Sequence, residues 1–163
     1  MTTYWLIYLI PVSFALSHRR YNEQAKTFLL GMFGIFLIFT IGLREKIGGD
    51  WTVLLKQFQH LSNVDFNYIL YASDKGPASD KGYAALNLFS SQLGWGIYGT
   101  NLICAIIFTF GLLSFCRTQF FPWLACALAI PYLTVIVAMG LTRQSVALGI
   151  VLWALSCLQN EKV

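Results

Sequence analysis

From Ile97 to Phe115 the chain carries no charged side chain, and Asn101 is the one strongly polar interruption. A run of that length matches the roughly 20 residues of helix that cross the hydrocarbon of a bilayer. Further apolar runs lie at about 3–17, 27–43, 123–139 and 143–158. Of the 163 residues, 57% are hydrophobic and 11% charged, whereas soluble domains are about 25% charged. The mean hydropathy is +0.63. The expected fold is all-α: a single polytopic integral membrane domain over residues 1–163, with about five transmembrane helices.

The connecting stretches fit that reading. Pro11 sits inside the first run, where a membrane helix tolerates it as a kink. The N-terminus has no basic region ahead of its apolar run and carries Arg19 and Arg20 after it. It is therefore read as a retained first helix and not as a signal peptide. Residues 44–91 carry five acids (Glu45, Asp50, Asp65, Asp74, Asp80) and five bases (Arg44, Lys46, Lys56, Lys75, Lys81), so they form an extramembrane segment. Within it, Trp51, Leu54, Leu55, Phe58 and Leu61 share one helical face, which predicts a short amphipathic helix lying at the interface. "SDKGPASDKG" is a turn-rich connector with a near-repeat of SDKG. Pro122 suits the first turn of a helix, and Gly140-Leu141-Thr142 makes a very short turn before the last run.

Orientation follows from the short loops. Arg19, Arg20 and Lys26 follow the first run, Arg117 follows the third, and Lys162 lies in the tail. With five crossings all of them fall on one side, which the positive-inside rule makes cytoplasmic. The 44–91 segment and the turn before Arg143 are then external. The net charge of +4 reflects these flanking bases, and no dense basic patch points to nucleic acid. Cys104, Cys116, Cys126 and Cys157 have no CxxC or zinc-like spacing and read as small apolar packing residues. His18 and His60 lie far apart and read as interfacial or loop residues. No G-x-S-x-G, P-loop or HExxH motif is present.

Two arginines, Arg44 and Arg143, stand at helix mouths on the external side. A guanidinium in apolar surroundings is costly unless paired or facing a cavity. Either both snorkel to headgroups or they bind an anion, for which the planar fork is suited.

"GLREKIGGDWTVLLKQF", "DKGYAALNLF" and "MGLTRQSVALGIVLWAL" occur in that order. They resemble the ordered motifs of the EpsG branch of Wzy-type exopolysaccharide and O-antigen repeat-unit polymerases, over about Leu43 to Leu158. The resemblance implies a glycosyltransferase of the bacterial inner membrane. It would join polyprenyl-pyrophosphate-linked oligosaccharide units at the external face, without nucleotide sugar, metal or other cofactor. Partners would be the lipid-linked oligosaccharide, the membrane and other polysaccharide assembly proteins, with no nucleic acid. Family members are longer, so the chain is expected to correspond to the N-terminal half, and site residues from a second half would be missing.

By motif match, Arg44, Asp50 and Arg143 are the candidate catalytic residues. Lys46, Trp51, Tyr83 and Gln144 are the candidate substrate-binding residues. Arginine stays protonated and stabilises charge on a departing pyrophosphate, while a carboxylate takes the proton of an acceptor hydroxyl. For Asp50 a helix N-cap or a salt bridge to Lys46 or Arg44 stands open beside the general-base role. Gly48-Gly49 is a turn compatible with either. Trp51 and Tyr83 are either sugar-stacking rings or members of an aromatic belt. Two other functions remain: a non-catalytic membrane subunit of a polysaccharide synthesis or export complex, and a small transporter. Against the transporter, the apolar runs hold almost no polar residues to line a path.

Overall fold

The computed structural model describes residues 2–17, 22–45, 47–48, 51–61 and 80–160. Among these the chain is helical, with no strand. In chain order the helices are α1 (Thr2–Leu16), α2 (Glu23–Gly42), α3 (Trp51–Leu61), α4 (Lys81–Gln92), α5 (Gly96–Arg117), α6 (Pro122–Ala129) and α7 (Thr142–Asn160). α6 continues directly as a π-helical segment, Ile130–Ala138. α2 starts earlier than the apolar pattern suggests, taking in Gln24 and Lys26, and the gap before α7 narrows to the single non-helical residue Leu141.

Two of these helices, Gln24–Gly42 and Gly96–Arg117, have the length and apolarity to cross a membrane. Thr3–Leu16 and Pro122–Ala138 are apolar but shorter. α2 shows why a membrane suits the chain. Its inner face buries Leu30, Phe33, Leu37 and Ile41, while its outer face exposes Phe28, Met32, Ile35 and Phe39. A helix apolar on all sides belongs in a core or a bilayer, and α2 lies at the edge of the bundle. The outward Ile106 and Phe110 of α5 and Leu124 and Leu128 of α6 extend the same apolar surface, far beyond the scattered exposure normal in soluble proteins.

The long helices alternate in direction. At one end, Arg117 Nη2 donates to Thr27 Oγ1 at 3.4 Å, Thr118 and Gln119 both donate to Gln159 Oε1, and the end of α1 meets the start of α6 around Lys26. At the other end, the close of α2, α3, α4, the start of α5 and the start of α7 gather.

Glycine sets how closely the helices approach. A Cβ added to Gly111 of α5 falls 1.9 Å from the carbonyl oxygen of Gly149 on α7, and one on Gly149 falls 2.7 Å from Phe108 Cα. Backbone-to-backbone contact of this kind lets apolar helices associate by packing, where hydrophobic driving force is absent. A Cβ added to Gly42 of α2 falls 2.9 Å from Leu102 Cα in the same way. Gly94 and Gly96, with φ of 70° and 62°, turn the chain sharply from α4 into α5, a backbone region open to glycine at little strain.

The π segment starts where Pro131 sits, and proline supplies no N–H for the ordinary i→i−4 ladder. A local shift to i→i−5 bonding is one resolution. The sequence gives an apolar run at 123–139 with Pro131 within it, and the structure adds a change of helical register there.

α3 turns the expected apolar face inward. Trp51 and Leu54 are buried and Leu55 and Phe58 half-buried, packed with Tyr83 and Leu86 of α4 and Ile97 and Cys104 of α5, while the buried Leu61 packs with Ala84 and Leu88 of α4. The predicted face is correct, but protein covers it where an interfacial surface was expected.

Candidate functional site

Two consecutive residues at the start of α7 join the three motifs. Thr142 faces inward, 3% exposed, and accepts a hydrogen bond from Arg44 Nη2. Arg44 Nη1 donates to the carbonyl of Ala138 at 2.9 Å, at the end of the π segment. Arg44 is itself 4% exposed. Its surroundings include Ile41, Asn101, Cys104, Ser145 and Thr142, and the gap between them has no room for a water molecule. Arg44 therefore clamps the end of the π segment to the first residue of α7 across Leu141. It faces no groove.

Arg143, the next residue, points the other way. Its side chain is 33% exposed and Nη1 pairs with Asp80 Oδ2, while Nη2 donates to Gln57 Oε1 at 2.9 Å. The guanidinium carbon lies 5.6 Å from the centre of the Tyr83 ring, within cation–π range. Asp80, Tyr83 and Arg143 border an open groove of about 690 Å³ between α4 and α7. One end is polar, with Asp80, Lys81, Gly82 and Arg143. The wall below is apolar, with Leu86, Val146, Ala147 and Ile150.

The charges here break a local rule twice. A helix N-terminus carries partial positive charge and favours acids in its first turn. Neither α4 nor α7 has an acid there. Each carries a base instead: Lys81 on α4, Arg143 on α7. Asp80, at the N-cap position of α4, makes no side-chain cap bond and reaches Arg143 instead. Among the described residues, the first turns of two helices, with Lys81 and Arg143, thus border the groove beside the Asp80 carboxylate, which is 54% exposed. Helix N-termini and guanidinium forks are both groups able to hold an anion.

The remaining candidates fall in several places. Tyr83 is 8% exposed, borders the groove and packs in the cluster beneath Arg143. Trp51 is 9% exposed in that same cluster, its ring 6.2 Å from Tyr98, so it supports α4 from within. Gln144 is exposed and does not border the groove. Lys46 and Asp50 lie outside the described residues, as does the first SDKG. Between those two, Gly48 has φ of 109° and accepts from Trp51 N–H at 3.4 Å, so the expected turn leads into α3.

Asp80, Gln57 and Thr142 were not singled out by sequence. Asp80 opens the "DKGYAALNLF" element, and Gln57 lies among the polar positions of the amphipathic α3, so both were visible as residues but not as partners. Deeper in, Asn101 is 2% and Asn87 0% exposed, and neither side-chain amide has a hydrogen-bond partner among the described residues. Such groups are costly in an apolar interior. Among the described residues no cluster of three His, Cys, Asp or Glu is placed to hold a metal ion.

A family model described as the EpsG family matches residues 27–163. Neither a curated protein nor a solved structure gives a significant match. The matched stretch holds Arg44, Asp80, Thr142 and Arg143 together, and with its apolar outer surface the molecule is a polysaccharide-related membrane protein: the chain belongs to the EpsG family.

Proposed function

We propose that this chain is a repeat-unit polymerase of the bacterial inner membrane, acting on polyprenyl-pyrophosphate-linked oligosaccharides at the external face. The observation that carries the reading is the groove with Arg143 and Lys81 at the start of two helices. In the transfer, an acceptor hydroxyl oxygen bonds to the anomeric carbon of the growing chain. The bond from that carbon to the pyrophosphate breaks, and the hydroxyl proton passes to a carboxylate. The leaving pyrophosphate gains negative charge, and preorganised cations away from bulk water stabilise it best. Arg143 binds through a fork matched to phosphate oxygens, and Lys81 adds a second charge. The apolar wall suits the first isoprene units of the carrier. The chain crosses the membrane five times with Lys26 and Arg117 on the cytoplasmic side, which turns the groove outward.

A second reading, a non-catalytic subunit of a polysaccharide assembly complex, draws support from Arg44, which is engaged entirely inside the protein. Complementation separates the two. A strain lacking its own repeat-unit polymerase receives the chain alone, or with the product of the adjacent downstream gene, each with and without Arg143→Ala. Long polymer that returns and is lost with Arg143→Ala supports polymerisation through the groove. Polymer length that ignores Arg143→Ala leaves the subunit reading.

A further inference from the structure

We propose that the cleft between the end of α1 and the start of α6 holds an anionic phospholipid of the adjoining leaflet, its headgroup at the mouth and an acyl chain along the wall. The cleft lies at the end of the bundle away from Arg143, and the proposal does not depend on the polymerase reading.

The cleft has a volume of about 490 Å³. Its wall is apolar, with Phe14, Leu16, Trp123 and Leu124, and Ser17 and Lys26 add polar groups. Beside it, in the turn between α5 and α6, Phe120 is fully exposed and Phe121 71% exposed. Two such rings next to Arg117 suit the boundary between headgroups and acyl chains. The cleft therefore opens at the depth where a phospholipid changes from polar to apolar.

Charge identifies the class of lipid. In the sequence, the segments that join or end helices here, 17–27, 117–121 and 159–163, carry Arg19, Arg20, Lys26, Arg117 and Lys162 against Glu23 and Glu161. Such an excess of bases beside a membrane attracts anionic lipid. Lys26 has an interaction within the chain and counts only as part of that excess.

Donors and acceptors lie on the two sides of the cleft. Ala125 makes the first bond of α6, to the Phe121 carbonyl at 3.0 Å, so the N–H groups of Trp123 and Leu124 precede the helical ladder. No acid stands in that turn. Trp123 gives an independent sign of a ligand. Its indole is 7% exposed and stacks on Phe14 at 4.4 Å, and Nε1–H has no acceptor among the described residues. A buried donor without an acceptor is costly, and buried tryptophan N–H groups usually find one. A lipid phosphate or ester oxygen supplies it. Nε1 lies beneath the cleft wall, so the indole turns against Phe14 to meet the headgroup. Across the cleft, the last carbonyls of α1 lack helical partners, and no base stands in that turn. They accept from the hydroxyls of a glycerol headgroup, so phosphatidylglycerol fits both sides. Since α1 joins the bundle chiefly through α6 and the π segment, this lipid also braces its attachment.

The test is native mass spectrometry of the purified full chain in detergent. The probes are phosphatidylglycerol, phosphatidylcholine with the same acyl chains, and glycerol 3-phosphate. Phosphatidylglycerol is expected to bind about ten-fold more tightly than phosphatidylcholine, with glycerol 3-phosphate not retained. Trp123→Phe keeps a ring to stack on Phe14 and is expected to weaken both phospholipids, because it removes a donor to the phosphate they share. Lys26→Gln is expected to narrow the difference between them. Leu16→Glu, at a position 76% exposed, brings a carboxylate to the cleft without touching the core and is expected to abolish the preference. Lys81→Gln, at the opposite end, leaves both affinities unchanged. Circular dichroism checks that each variant keeps its helix content. Equal affinity of the wild type for the two phospholipids overturns the anionic preference. Glycerol 3-phosphate held as firmly as the lipid identifies a free phosphate ester and overturns the lipid. A preference untouched by Lys26→Gln, Trp123→Phe and Leu16→Glu alike overturns the site, as does its loss in Lys81→Gln.

Discussion

Arg44 and Arg143 are chemically identical and sit at the same end of the bundle, yet one is a clamp and the other a rim residue. Removing Arg44 leaves the Thr142 hydroxyl and the Ala138 carbonyl buried without their donor, at about 1–3 kcal/mol for each unsatisfied group. Arg44→Met is therefore expected to lower the melting temperature in detergent clearly more than Arg143→Met does. Arg44→Lys should recover little of the loss, because one ammonium does not reproduce a fork reaching two acceptors. A smaller loss in Arg44→Met than in Arg143→Met would show that the clamp is not structural. Gly82→Ala separates stability from binding. Nothing lies within 4 Å of the added methyl, and alanine favours helix over glycine by about 0.5–1 kcal/mol. The melting temperature should stay level or rise while diphosphate affinity in the same preparation falls. Both arginines were legible in the sequence as charges at helix mouths. Which one faced inward was not, because that depends on how α7 is rotated about its axis, and its apolar residues favour no one face.

Among the elements, the contact between α5 and α7 is the most exacting. Gly111→Val is expected to force these helices apart, since even a Cβ falls 1.9 Å from the Gly149 carbonyl oxygen, and overpacking of this kind costs about 1–3 kcal/mol or more. Gly31→Ala on the exposed side of α2, with nothing within 4 Å, is the control and should be neutral or slightly stabilising. Limited proteolysis and melting temperature in the same detergent distinguish them. The π segment gives a prediction of unusual sign. Replacing a mid-helix proline by alanine ordinarily stabilises a helix, by up to about 3 kcal/mol. Pro131→Ala is expected to lower the melting temperature instead, because a regular α register would rotate the Ala138 carbonyl away from Arg44. A rise in melting temperature would show that the clamp does not need the π turn. Sequence periodicity revealed α3 and its buried face because apolar and polar positions alternate there. It was blind to the π segment, where every position from Ile130 to Ala138 except Thr134 and Pro131 is apolar or aromatic and any register looks alike.

For the whole molecule, the apolar runs were legible because a bilayer imposes one simple demand on length and polarity. The ion pair between Asp80 and Arg143 was not, since 63 residues separate the partners and helix packing brings them together. The proposed orientation is open to direct measurement. In a background with Cys157 replaced by serine, a single cysteine at Lys81 should react with a membrane-impermeant maleimide added outside intact cells. One at Gln119 should react only after the membrane is opened. The reverse pattern would turn the groove to the cytoplasm and remove the polymerase reading.

Both knots that tie the motifs together, Arg44 to Thr142 and Asp80 to Arg143, lie on the first turn of α7. During synthesis, a chain that has emerged only as far as the π segment holds one motif beside α2 and another on α4, with nothing to join them. The groove comes into existence when the last of these helices arrives. On the proposed reading, recognition of a carrier waits for the arrival of α7, and a chain stalled before it lacks both ties.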